Sequence, residues 1–292
     1  MKITALAPWF GSKRTMAPVI VEELGPHRGY WEPLCGSMAT LLAKPPSKAE
    51  IVNDLHGDLI NLARVLSIEA SALDLYGRVA RTVFHEDFMG DARQYLQSRE
   101  VADCDPIERA YWYMVCSWFG RNGTSGQPMA RTGKSFCVRY STKGGDAATR
   151  WRSVVDSVPW WHARLRDVTI LNRDVFEILP RIEDEAGIVV YCDPPYLVKS
   201  SPYLHDFADG FMSAGNDHER LAAALRRFKR TRVVVSYYEH PALRSLYDGW
   251  TVRTIDAVKF MNNANKPMGT HGTVKAPEVL LINGPSFAGG VA

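Results

Sequence analysis

The sequence predicts an α/β sheet interrupted by a mostly helical insertion. Three observations predict it. Short apolar runs ending in turns or acids alternate with helix-spaced segments over 29–68 and again from 168 onward. Between 69 and 161 that rhythm stops, and helical patterns follow one another. The run Val189-Val190-Tyr191-Cys192 ends in Asp193-Pro194-Pro195-Tyr196, a strand followed by prolines that cannot continue it. The sheet is therefore expected from residues 1–68 and 162–292, and the insertion from 69–161.

The 292 residues, 46% hydrophobic and 23% charged, suit one large domain or two smaller ones and are unlike a disordered chain. A net charge of +3 is mild and does not by itself imply nucleic acid. The five cysteines (Cys35, Cys104, Cys116, Cys137, Cys192) are scattered without a C-x-x-C pair, so neither a zinc site nor a disulfide framework is expected. No apolar run is long enough to span a bilayer, and Met1-Lys2-Ile3-Thr4 opens no signal peptide. The expectation is a cytoplasmic, reduced protein with no metal.

In chain order, Trp9-Phe10-Gly11-Ser12-Lys13-Arg14 precedes a helical stretch over 16–24. It lacks P-loop spacing. Trp9 and Phe10 suit a packed N-terminal arm, while Gly11-Ser12-Lys13 suits a ligand contact. A short strand is expected to Trp31, a turn through Glu32-Pro33, then Cys35-Gly36-Ser37 entering a helix over 39–42. Gly36 and Ser37 would let the backbone approach a ligand at that helix start. A second strand over 50–54 ends in Asp54, about twenty residues after the glycine turn, where an α/β nucleotide site places an acid on ribose hydroxyls. The alternative is a cap or turn before the helix over 59–67, and the ribose role is favoured by analogy with that rule.

Helices are expected over 70–84 and 105–119, the second carrying a core stripe of Tyr111, Trp112, Tyr113, Trp118 and Phe119. From Arg121 to Arg152 there are seven cations, and Asp146 is the only acid. Arg121, Arg131, Lys134 and Arg139, with Asn122 beside them, fit phosphate and base-edge contacts. Phe136 to Tyr140 alternates as a strand does. The next strand, over 168–171, leads to Asp174 and Phe176, which suit either a helix cap with a core ring or an acid–aromatic pair at a ligand site. In open α/β sheets, ligands bind outside the carboxyl ends of the strands, which puts Asp193 and Tyr196 at such an edge. Beyond it come a polar loop over 200–215, a helix over 217–229 capped by Asp217, and a strand over 232–236. A helix opened by Pro241, a strand over 250–255, a polar loop over 261–277, a last strand over 278–282 and a loose tail complete the chain.

These motifs, in this order, resemble the Dam-like family of DNA adenine amino-methyltransferases. Trp9 to Lys13 is similar to the family's N-terminal cofactor motif. Glu32-Pro33-Leu34-Cys35-Gly36-Ser37 is similar to its first strand–loop motif, Asn53-Asp54-Leu55 to its ribose motif, and Asp193-Pro194-Pro195-Tyr196 to its catalytic motif. Phe119-Gly120-Arg121-Asn122 faintly echoes its recognition signature, and residues 275–283 resemble its closing strand. Met38 departs from the pattern, which often has a second glycine there, and Ser236-Tyr237-Tyr238 follows a later motif loosely.

The resemblance implies a Rossmann-like, S-adenosylmethionine-dependent methyltransferase acting on the N6 amine of an adenine flipped out of double-stranded DNA. Its setting would be restriction-modification or a phage. Asp193 and the Pro194 carbonyl would accept the amino hydrogens, and Tyr196 would stack on the base. Trp9, Lys13, Glu32, Gly36, Ser37, Asp54, Asp174, Phe176 and Asp193 would contact the cofactor. The alternatives are an amino-methyltransferase for cytosine N4 or RNA, a nicotinamide-dependent dehydrogenase, which the missing G-x-G-x-x-G disfavours, and a catalytically silent DNA-binding module.

Overall fold

The computed structural model describes residues 2–9, 11–98, 104–120, 136–138, 146–197, 215–259 and 274–288. Among them, seven strands form one sheet: β1 (Gly29–Leu34), β2 (Ala49–Asn53), β3 (Thr169–Leu171), β4 (Ile188–Cys192), β5 (Arg232–Tyr238), β6 (Thr251–Lys259) and β7 (Val274–Ile282). Their order is β3-β2-β1-β4-β5-β7-β6. β1 to β5 are parallel, while β7 runs antiparallel between β5 and β6. The chain moves outward from β1 to β3, returns to β4, and moves outward the other way. The strand order therefore reverses between β1 and β4, and open α/β sheets bind ligands at the carboxyl ends of such a switch point.

Strand alternation divides the core. Val189, Tyr191, Val234, Leu280 and Ile282 face one cluster with α1 (Ala17–Leu24), α2 (Ala39–Ala43) and α3 (Gly57–Ser67). Val190, Cys192, Val233, Val235, Tyr237, Val279 and Leu281 face the other, against Leu221, Leu225 and Phe228 of the segment after β4. Between α3 and β3 lie α4 (Glu69–Ala80), α5 (Glu86–Ser98), α6 (Pro106–Phe119) and the helices Ala147–Val155 and Val158–Leu165. They bury Leu59, Ile60, Leu62, Ala63, Val65 and Leu66 of α3, and their own core is continuous with the first cluster. Trp118 and Trp161 donate indole N–H bonds to the carbonyls of Leu6 (3.1 Å) and Ile3 (2.8 Å), which fixes the N-terminal segment against these helices. Of the aromatic stripe on α6, Tyr113, Trp118 and Phe119 are buried and Tyr111 and Trp112 are half-buried. No helix among the described residues is long and apolar enough to cross a membrane.

Several elements differ from the sequence expectation. β1 does not stop at Trp31 but continues through Glu32-Pro33 to Leu34. Pro33 is accommodated because the β1–β4 register shifts between Trp31 and Leu34, so no ladder bond is required of it there. Glu86–Ser98 is a helix the apolar pattern did not reveal, since its polar, Gly90-containing face dominates. The helix expected from Pro241 is only the single turn Leu243–Leu246, and Asp217 is the third residue of Gly215–Arg226 rather than its cap. Residues 274–277, expected in a loop, begin β7, while the rest of that loop and 200–214 lie outside the described residues. Of the strand expected at Phe136, the described residues make one bridge, to Gly120. The start of the tail is not loose: Glu23, fully buried on α1, accepts from Ser286 Oγ and from the Phe287 N–H, and pairs with Arg232 and Arg253.

α3 is joined to α6 by one buried ion pair. Asp58 Oδ1 accepts from Arg109 Nε at 2.7 Å, with both side chains at 10% exposure or less. Removing one partner leaves a buried charge uncompensated. Asp58→Ala is expected to cost about 3–5 kcal/mol in urea unfolding, more than an average substitution; a change below about 1 kcal/mol would mean water reaches Arg109.

Candidate active site

The carboxyl end of β4 delivers Asp193 to this switch point. Asp193 Oδ1 accepts from Ser236 Oγ at 2.8 Å and from the Tyr196 hydroxyl at 3.4 Å, and pairs with Lys13 Nζ at 2.9 Å. Lys13 comes from the short turn Lys13–Thr15 ahead of α1 and is 4% exposed. Its ammonium also donates to the Gly11 carbonyl at 2.8 Å, lies 3.9 Å from Glu278 Oε2 and sits 5.0 Å from the Tyr196 ring centre. Tyr196 packs edge-on against Tyr238, at 4.3 Å between centres, and its hydroxyl reaches Glu278 Oε2 at 3.5 Å. The turn after β4 thus draws on three further strands or turns of the chain.

Two other acids stand here. Glu278, on β7 opposite Tyr238, is 4% exposed. Glu32, near the end of β1, is 2% exposed, and its Oε2 has no hydrogen-bond partner. Burial, with the Asp193 charge adding to it, pushes the Glu32 carboxyl up to about 8. At neutral pH it is held mainly in the protonated form, ready to ionise beside a cation.

The loop after β1 forms a second corner. Gly36 has φ +44° and lies so close under Trp9 that a Cβ would meet the indole Nε1 at 3.2 Å. Its N–H donates to Asp54 Oδ2 at 2.8 Å, while Asp54 Oδ1 accepts from the His56 N–H at 2.9 Å. Trp9 stands edge-on to His56 at 5.3 Å. Asp54 is therefore not the cap of α3; His56 Nδ1 does that by accepting from the Leu59 N–H. Ser37 is buried, and its carbonyl accepts from the Leu6 N–H. Met38 has φ 58°, the one non-glycine residue with positive φ among those described. The backbone keeps the conformation a glycine adopts easily, at a cost of about 1–2 kcal/mol, and the side chain is fully buried in the core.

Asp174 and Phe176 follow β3. Asp174 Oδ1 accepts from the Phe176 N–H at 2.7 Å and so caps the short helix that follows. Arg220 lies 3.8 Å over the Phe176 ring, which belongs to the same apolar cluster as Trp31, Leu34 and Tyr196. Asn53 joins the strand ends: it donates to the carbonyls of Pro33 and Arg173 and accepts from the Arg173 N–H, each at 2.9 Å. The structure thus brings Lys13, Asp193 and Tyr196 together, and Trp9, Gly36 and Asp54 together. Arg121, Asn122, Arg131, Lys134 and Arg139 lie outside the described residues. Sequence reasoning missed Glu278, Ser236 and Tyr191 as site residues. The one signal for Glu278 was an acid just ahead of the apolar run Val279-Leu280-Leu281-Ile282.

A mostly parallel sheet with an antiparallel strand beside its last one, and an acid-led proline turn at its switch point, define a Rossmann-like methyltransferase domain. The family model described as D12 class N6 adenine-specific DNA methyltransferase matches residues 9–261, and the chain belongs to that family. Its chemistry is the methylation of adenine in DNA, and the family implies S-adenosylmethionine as methyl donor. Similar proteins include a DNA adenine methylase of Serratia marcescens, 25% identical over 84% of this chain and 87% of the relative. The retron Ec67 DNA adenine methylase of Escherichia coli is 23% identical over 97% and 92%, and a DNA adenine methylase of Salmonella typhi is 23% identical over 98% of each chain.

Gly36 tests the second corner. Gly36→Ala places a methyl against Trp9 and strains a positive φ. Tryptophan fluorescence is expected to shift and cofactor affinity to fall about tenfold or more; unchanged affinity would remove this loop from the binding site.

Proposed function

We propose that the crevice between β1 and β4 binds S-adenosylmethionine and receives an adenine flipped from double-stranded DNA. The observation that carries this reading is the gathering of Lys13, Ser236 and Tyr196 on a single oxygen of Asp193 at the switch point. Glu32 supports it from the cofactor side. A fully buried carboxylate oxygen without a partner fits a cationic ligand, and the close approach at Gly36 fits a ligand laid along that loop. Trp9, Lys13, Gly36, Ser37 and Asp54 would hold the cofactor, Asp54 toward its ribose hydroxyls, with Asp174 and Phe176 toward its adenine.

When bound, S-adenosylmethionine supplies a methyl group already activated by its sulfonium charge. The task left to the protein is to prepare a nucleophile whose lone pair is delocalised into the purine ring. Asp193 accepts one N6 hydrogen and the Pro194 carbonyl the other, which fixes the amine with its lone pair toward the methyl carbon. A carboxylate near developing positive charge on N6 stabilises the transition state more than the ground state. Tyr196 stacks on the base, a contact worth ~1–3 kcal/mol. The helical insertion at 69–161, with Arg121, Asn122, Arg131, Lys134 and Arg139, would contact the duplex around the target. An enzyme of this family, acting on cellular DNA, would work in the cytoplasm.

Two outcomes check this reading. Asp193→Ala is expected to lower methyl incorporation into unmodified DNA by at least a thousandfold while cofactor binding by calorimetry stays measurable; retained turnover would remove Asp193 from the mechanism. The second concerns pH. Below about 8 Glu32 must lose its proton to meet a cationic ligand, so cofactor affinity rises with pH up to about 8 and then levels. Calorimetry in buffers of different ionisation enthalpy should record proton release on binding at pH 7, lost in Glu32→Gln; a flat pH profile would separate Glu32 from the cofactor.

A further inference from the structure

Every donor that reaches Asp193 among the described residues goes to the same oxygen, Oδ1. Lys13 and Tyr196 are not fixed by the sheet: one acts through a flexible four-carbon stem, and the other lies in the turn after β4. Ser236 is different. β4 pairs in parallel with β5, with Tyr191 opposite Val234 and Cys192 opposite Val235. One residue further on, the same register sets Ser236 beside Asp193. Two-residue alternation places Tyr191 and Asp193, and likewise Val234 and Ser236, on one face.

Ser236 is fully buried, and Tyr191 is 1% exposed. Their hydroxyl oxygens are 3.0 Å apart. A carboxylate can only accept, so Ser236 donates its proton to Asp193. The serine oxygen is then left to accept, and Tyr191 must donate. Burial pushes the Tyr191 hydroxyl well above its usual range, so that proton stays in place. The chain of donation runs Tyr191 to Ser236 to Asp193 Oδ1. These two hydroxyls interrupt a sheet face otherwise built from Val189, Val234, Leu280 and Ile282. An apolar pair would complete that face without burying polar atoms, whose desolvation must be offset by these bonds.

We propose that Ser236, held from behind by Tyr191, is the positioning residue of the reaction: it pins Asp193 Oδ1 so that Oδ2 is presented to the N6 amine of the target adenine. This rests on Asp193 being the amine acceptor. Ser236 touches no substrate atom. It acts by fixing the direction in which the carboxylate faces, and Tyr191 acts only through Ser236.

The test uses the full chain, unmodified duplex DNA and S-adenosylmethionine in single-turnover methylation, together with crystal structures of the free proteins. Ser236→Ala is expected to slow methyl transfer about tenfold to a hundredfold, the range of a hydrogen bond to a charged group. The KM for S-adenosylmethionine should stay within about threefold and Tm within a few degrees. Tyr191→Phe should slow the step by less, and should have no further effect in the Ser236→Ala background. In the Ser236→Ala crystal the Asp193 carboxylate should rotate or occupy more than one orientation. A wild-type rate in Ser236→Ala, an unchanged single orientation of Asp193, or parallel losses of rate, cofactor affinity and Tm would each overturn the proposal. If instead the wild-type protein leaves no methyl group on adenine while the variant's carboxylate still turns, the amine-acceptor reading fails and the positioning by Ser236 stands.

Discussion

One carboxylate oxygen organises this site. Asp193 Oδ1 draws a hydroxyl from β5, a phenol from its own turn and an ammonium from the segment before α1. Lys13 in turn stands between Asp193 and Glu278 of β7. Two acids, Asp193 and Glu278, crowd that cation, and a third, Glu32, lies near the Asp193 charge. Glu32, the most deeply enclosed beside the Asp193 charge, is the one whose carboxyl is pushed to about 8. The carboxylates of Asp193 and Glu278 around Lys13 favour further positive charge nearby, which is what the proposed sulfonium and an amine undergoing methylation would bring.

The rest of the fold holds that corner still. α3 is packed by helices from the 69–165 region, with Asp58 and Arg109 paired inside. Glu50 does the same at the start of β2, where it pairs with both Lys44 and Arg164. Above them, the loop from Cys35 to Met38 turns within hydrogen-bonding reach of Asp54, and Met38 accepts a left-handed backbone because its side chain fills core space. Strain there, about 1–2 kcal/mol, is smaller than the roughly 2–5 kcal/mol that losing a buried methionine costs. A core side chain can therefore stand where glycine would be easier.

Much of this was legible in the sequence, and the exceptions have physical reasons. The prolines after Cys192 located the strand end, and the spacing from Gly36 to Asp54 located two neighbouring strands. Proline rules misled at Pro33, because a register shift accommodates it inside β1. Tyr191 and Ser236 read as ordinary strand residues; their contact depends on the register of β4 against β5, which is a long-range property. Glu278 meets Tyr196 across a separation of 82 residues, through β7 running antiparallel beside β5. Asp174 was ambiguous because a helix cap and a ligand-site acid share one sequence signature, and here the cap is formed.

In the proposed reading, the crevice joins a methyl donor to an adenine amine held by Asp193. The most direct measurement incubates the purified chain with unmodified duplex DNA and isotopically labelled S-adenosylmethionine, then digests the DNA and separates the nucleosides. The label should be recovered as N6-methyladenine, as that reading requires. Label on N4-methylcytosine, or none on DNA while the protein binds the cofactor, would contradict it.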